Sequence, residues 1–217
     1  MVAHRLAFIA AALTLIAGCT AVSARRQFLP PPAGDSRVGT VPSRADPAIA
    51  PGPPAEPRHR DASRAVEAAA ALVGSRRVVV DGVDYGAGCA ALVRAAFDHA
   101  GRPLPASVRD APALHALAAS RGALRPPARA APGDVIFLAD RPGGPPAHVG
   151  LVARVDADGT AVALHRVARG VMRLRLNVGQ PSRLTDPATG RRLNDALAIG
   201  GTTVPAGDLV VDVAGLL

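Results

Sequence analysis

The sequence predicts an α+β domain, with N-terminal helices packed on an antiparallel β-sheet. Three observations carry this. Helix-forming, alanine-rich segments with 3.6-residue apolar spacing occupy the stretch from residue 61 to about 120. From Val135 onward the pattern changes to short β-branched runs. Asp156-Ala157-Asp158-Gly159 then separates two such runs and reads as a hairpin turn. Helices first and neighbouring strands afterwards is the order of an α+β fold.

The first helix is expected over 61–74. Asp61 or Ser63 can cap its start, and Gly74 supplies a left-handed stop. Val78-Val79-Val80 is a short apolar run, followed by turn residues Asp81-Gly82 and Gly86-Ala87-Gly88. A second helix is expected from about Cys89 to Ala100. Leu92, Val93, Ala96, Phe97 and Ala100 form its apolar stripe, Gly101 ends it and Pro103 blocks continuation. A third runs from Ala111 to Ser120, with Asp110 as cap, Pro112 in the first turn and Gly122 beyond. Strands follow at 135–138, 148–155, 160–167 and 171–176. Residues 177–208 read as loop-rich with a short helix near Asn194, and 209–213 as a last strand.

Three regions precede and include this domain. Residues 1–19 combine a short basic start, His4-Arg5, with an apolar run from Leu6 to Ala17. A bilayer-spanning helix needs ~20 apolar residues, so this is an export signal rather than a span. Its end, Leu15-Ile16-Ala17-Gly18-Cys19, resembles the lipobox of bacterial lipoproteins. That resemblance implies lipidation of Cys19 and a membrane tether, since two or more acyl chains anchor stably. Thr20 in place of an acidic residue favours outer-membrane sorting, with the domain facing the periplasm. Residues 20–60, rich in proline, read as an extended linker, leaving 61–217 as one domain of ordinary size.

Composition excludes some functions. The chain has one Tyr, four Phe and no Trp, which argues against stacking platforms for bases. The formal charge of +8 is carried by arginines that are dispersed, apart from the alternation Arg166, Arg169, Arg173, Arg175. No nucleic-acid partner is expected. An anionic polymer such as cell wall suits a tethered, mildly basic domain.

Of two cysteines, Cys19 belongs to the signal, so Cys89 is unpaired. A free thiol in an exported protein is either a small buried hydrophobe or a working group. Helix-start amides and the helix dipole stabilise an anion, and Gly86 and Gly88 permit close backbone approach. His148 and His165 fall on adjacent strands. If Val155 faces Thr160, Gly150 pairs with His165, and His148 lies one diagonal step away on the same sheet face. Cys89 as nucleophile, His148 as base and His165 as orienter meet the generalised triad requirement. A zinc site built from the same three residues lacks the close ligand pairing of structural zinc, and neither a metal nor another cofactor is expected. His99 and His115 on helices, and His59 in the linker, read as bland.

Three segments resemble the NlpC/P60 cysteine peptidases and the related CHAP amidases. They are Cys89-Ala90-Ala91-Leu92-Val93-Arg94, Pro132-Gly133-Asp134-Val135-Ile136-Phe137 and His148-Val149-Gly150-Leu151-Val152, with Leu104-Pro105 after the cysteine helix. The resemblance covers about 62–177. It implies a papain-like core, a peptidoglycan partner, and cleavage of a stem-peptide amide through a thioester on Cys89. His148 would move the proton and His165 would orient it; Tyr85 would support the oxyanion. The related amidases often place Glu or Asn third, which makes Asn177 a rival to His165. The chain has Gly88-Cys89-Ala90-Ala91 where the family commonly has Asp-Cys-Ser-Gly, which bears on substrate choice and activity. A monomer is expected. A catalytically degraded, wall-binding lipoprotein with the same fold and a thiol acyltransferase are the competing readings.

Overall fold

The computed structural model describes residues 57–217. The export signal with Cys19, and the linker up to residue 56, lie outside the described residues. Three helices and a six-stranded antiparallel sheet make up the α+β architecture among the described residues. The helices are α1 (Pro57–Ala71), α2 (Ala91–His99) and α3 (Ala111–Ser120).

Helix α1 starts four residues inside the stretch read as linker. Pro57 suits a first helical turn because its missing N–H has no intrahelical partner to lose. Asp61 and Ser63 therefore lie within the helix rather than capping it. Gly74 does take the left-handed conformation, at φ +88°. Helix α2 begins two residues later than expected. A turn closed by Ala91 N–H donating to the Gly88 carbonyl precedes it, and Ala90 caps it without a side-chain bond. Cys89 thus sits in this entry turn, just ahead of the helix. Helix α3 follows the sequence expectation, with the Asp110 carboxylate accepting from Ala113 N–H at 2.8 Å.

A small hairpin, β1 (Val79–Val80) and β2 (Val83–Asp84), precedes α2. The main sheet contains β3 (Leu124–Arg125), β4 (Val135–Ala139), β5 (Pro146–Val155), β6 (Thr160–Val167) and β7 (Gly170–Asn177). A second hairpin, β8 (Ala196–Ile199) and β9 (Thr202–Pro205), stands where a short helix near Asn194 was expected. Gly200-Gly201, both at positive φ, turns it, as two-residue hairpins require. The last strand, β10 (Val210–Ala214), inserts between β3 and β4, giving the order β3-β10-β4-β5-β6-β7.

Each face of the sheet has its own core. The helices bury Ala65, Ala69, Leu92, Val93, Phe97, Leu114 and Ala118 against Val135, Phe137, Val149, Leu151 and Leu164. The opposite face packs Ile136, Leu138, Val152, Ala163, Leu174 and Leu176 with Ala206 and Val213. Full burial of each large aliphatic or aromatic side chain contributes about 1.5–3 kcal/mol. The alanine-rich helix faces let α1 and α2 lie close to the strands, which the scarcity of aromatics otherwise makes hard to fill. No described helix is long and apolar enough to cross a membrane.

Register places the histidines. Val155 pairs with Ala161 rather than Thr160, because the turn closes one residue wider, with Asp156 N–H donating to the Thr160 carbonyl. A bulge between Val152 and Arg154 takes up the extra residue, so Gly150 still pairs with His165.

Candidate functional site

The Cys89 sulfur is half-buried at the N-terminal end of β5, and its polar contact is the Ala147 carbonyl at 3.9 Å. It therefore lies beside the strand position that carries His148. A cavity of about 320 Å³ is lined by Tyr85, Gly88, Ala91, Arg94, Ala106 and Arg109, with Gly88 of the entry turn among them but not Cys89 itself. Two arginines thus line this cavity. A Cβ on Gly88 would stand 3.2 Å from the Arg109 carbonyl, so glycine keeps this entry turn against the loop before α3.

The two imidazoles occupy one face of the sheet. A Cβ on Gly150 would meet the His165 Cβ at 3.2 Å and the Ile136 Cγ2 at 3.4 Å, which puts His165 on the face away from the helices. His148, two residues before Gly150 and paired with Leu138, shares that face by alternation. His148 is exposed and His165 is buried. No hydrogen bond joins the sulfur to either ring among the described residues. The thiol packs with the helix-side core, whereas both imidazoles lie on the opposite face of the sheet, so the structure does not bring Cys89 together with His148 and His165; the sulfur reaches only the backbone of β5, at the Ala147 carbonyl.

Burial holds the His165 imidazole below its ordinary pKa, and the neighbouring His148 adds to this. The Asp195 carboxylate acts weakly in the other direction. His165 is thereby neutral at neutral pH, the state needed to accept or orient a proton. Because the folded-state pKa lies below the unfolded value of ~6.5, the unfolded chain takes up the proton first as pH falls. The stability His165 contributes is complete above about pH 6.5 and is lost as pH drops toward the folded pKa. Urea midpoints at pH 7.5 and pH 5.5 should fall further for the wild type than for His165→Asn; parallel declines would refute the neutral, buried assignment.

Tyr85 is differently committed. Its hydroxyl donates its single proton to the Asp98 carboxylate. Its pKa is pushed up to about 12 by burial first and then by Asp98. The Arg94 guanidinium lies over its ring, 5.9 Å from the centroid. With that proton given to Asp98, the hydroxyl has none left for an oxyanion, and Tyr85 serves to brace the loop before Cys89 against α2.

Asn177 is remote from the histidines. It pairs with Thr160 at the hairpin end of β6 and β7, five positions along the strand from His165, which is about 17 Å at strand rise. Its amide donates to the Asp158 carbonyl at 3.1 Å and to Thr160 Oγ1 at 3.0 Å, and its carbonyl oxygen accepts from Gln180 N–H at 2.9 Å. This is a turn-stapling role. His99 and His115 pair with Asp81 at 2.8 Å and Asp212 at 2.9 Å, and His115 packs edge-on to Phe137.

One contributor escaped the sequence reading. Arg166, read only as part of a charge alternation, points to the helix face and donates to the Ala87 and Arg76 carbonyls. It ties the loop ahead of Cys89 to the strand that carries His165. An arginine following a strand histidine gives no local signal of this, because the link spans 79 residues of chain.

Among the described residues, no group of three or more His, Cys, Asp or Glu side chains is arranged to hold a metal ion. No family model, no curated protein and no solved structure matches this chain.

Proposed function

We propose that this protein is a lipid-anchored cell-envelope hydrolase of the NlpC/P60–CHAP kind, with a papain-like core, cleaving an amide in peptidoglycan stem peptides. The observation that supports it most is the position of the free Cys89 thiol, at the entry to α2 and against the carbonyl of Ala147, the residue that precedes His148. In the proposed reaction, Cys89 Sγ attacks the amide carbonyl carbon as His148 takes the thiol proton. The tetrahedral adduct collapses, the C–N bond breaks, and His148 returns the proton to the leaving amine. Water then attacks the thioester with His148 as base, releasing the carboxylate and restoring the thiol. Neutral His165 orients the His148 ring across the shared sheet face. Backbone amides of the entry turn, rather than Tyr85, would receive the oxyanion. The lipobox-like Cys19 places this chemistry on a tether, in the outer membrane facing the periplasm.

The test is digestion of purified peptidoglycan by the full-length protein, with products read by mass. New amine and carboxylate ends should appear, and prior stoichiometric alkylation of Cys89 by iodoacetamide should abolish them. Absence of new ends, or equal digestion by the alkylated protein, would reject the reading.

A second reading is a wall-binding lipoprotein with a degraded site. It is favoured by the lack of any hydrogen bond between the thiol and an imidazole, and by the Tyr85 proton being held by Asp98. It predicts retention on peptidoglycan with no new ends and no effect of alkylation on binding.

A further inference from the structure

A cleft of about 890 Å³ opens on the sheet face that carries His165, within the range of specific ligand sites. One wall is β6 and β7. The other is residues 184–198, a stretch beyond the segments that resemble the cysteine peptidases. Arg169, Arg173 and Arg192 line it against a single acid, Asp195. That carboxylate is already used: Oδ2 accepts from Arg175 N–H at 2.8 Å, and Oδ1 lies 3.4 Å from Arg192. Arg169 and Arg173 have no ion-pair partner among the described residues. Met172 and Leu184, at 44% and 39% exposure, offer apolar surface in the same cleft.

The edge of β7 is open at one place along this cleft. In the antiparallel ladder, Val171, Arg173, Arg175 and Asn177 turn their N–H and C=O groups away from β6. Val171 exchanges both with Ser75 and Gly74, each at 2.9 Å. Arg175 is met by Asp195 on both groups, and Asn177 N–H donates to Asn194 Oδ1. Arg173 alone among these four has neither outward group bonded within the described residues. The gap between the two capped positions spans about 13 Å, room for roughly three extended residues.

We infer that this cleft binds an acidic peptide in extended conformation. One residue of it pairs with the backbone of Arg173, its carboxylates meet Arg169 and Arg192, and an aliphatic side chain covers Met172 and Leu184. Edge pairing is the recognition mode that distinguishes a peptide from a simple fatty acid, and the arginines set the sign of its charge. The inference rests on the hydrolase reading only for its consequence, that the bound peptide is the substrate strand.

The test uses full-length Cys89→Ala protein and dye-labelled Ala-Glu-Leu-Glu-Ala, followed by fluorescence anisotropy. The Gln-for-Glu isostere should bind at least tenfold more weakly, and the difference should disappear in the Arg169→Ala, Arg192→Ala double variant. N-methylation of the central leucine amide should weaken binding at least fivefold. Equal binding of the isostere, indifference to N-methylation, or displacement by decanoate as strong as by unlabelled peptide would overturn the inference. Binding without any cleavage of peptidoglycan by the wild type would instead condemn the hydrolase reading and leave the cleft assignment standing.

Discussion

Replacing Cys89 by Ala should lower peptidoglycan cleavage about 10⁴-fold or more while leaving the fold intact. The size follows from the proposed role: removing a covalent nucleophile eliminates the pathway, and the remaining rate is what binding and backbone dipoles can supply. The stability change should be small. The sulfur is half-buried, its polar contact is one long approach to a carbonyl, and alanine retains the Cβ in the entry turn. Activity and melting temperature should therefore separate, which a structural cysteine would not allow. His148→Ala should cost about 10²–10⁴-fold, the usual worth of a general base, and its loss should be concentrated in kcat. The pair also probes the geometry at the end of β5. If His148→Ala is silent while Cys89→Ala is not, the exposed imidazole never comes around the strand end to the thiol, and the base is another group. If both variants digest peptidoglycan as the wild type does, Cys89 is a packing residue and the triad assignment falls.

The parts of this arrangement legible in the sequence are those set by local chemistry. Asp110 announces the start of α3 because a carboxylate at that position can reach an amide three residues on, and it does. Gly74 and Gly101 mark helix ends because only they adopt positive φ freely. Alternation placed His148 and His165 on one face, and the observed pairing of Gly150 with His165 agrees. That agreement conceals two departures that cancel: a turn one residue wider and a bulge one residue long. What remained hidden is set by tertiary contacts. Alternation states that two residues share a face but not which face the helices cover, since Val149 and Leu151 on one side and Gly150 and Val152 on the other are all buried. Tyr85 reads as a lone aromatic until Asp98, on the facing side of α2, takes its proton. Asn177 reads as a candidate polar strand-end residue until Thr160 and Asp158 are seen to occupy its amide. The β8–β9 hairpin was missed because loop-like composition hid the Gly200-Gly201 turn signal, and with it the second wall of the arginine-lined cleft.

Gly133→Ala should destabilise the domain by about 2–5 kcal/mol, although the substitution adds a single methyl group. Two costs combine. Gly133 sits at φ +86°, where an L-residue costs about 1–2 kcal/mol. A Cβ there would also stand 2.5 Å from the Ala62 Cβ and 3.0 Å from its Cα, and such overpacking costs about 1–3 kcal/mol. Neither partner yields readily. Gly133 N–H donates to the Val152 carbonyl at 2.8 Å, which fixes the turn to β5, and Ala62 is part of the α1 backbone, with no flexible side chain to swing aside. At about 2–4 °C per kcal/mol for a domain of this size, the melting temperature should drop by roughly 4–20 °C. Gly159→Ala provides the control. Its φ of +79° is similar, but nothing lies within 4 Å of the added Cβ, so only the backbone strain remains. Equal losses in the two variants would show that the contact with Ala62 carries no weight. A larger loss at Gly133 would mean that the Pro132-Gly133-Asp134 turn holds α1 against the start of β4. Asp134 fits that role. It is buried, ion-paired with Arg125 and bonded to Ala131 N–H, yet burial outweighs these partners and holds its carboxyl above the usual carboxylate range. Since β4 pairs Leu138 with His148, the glycine that sets the start of β4 also sets the position of His148 along the sheet.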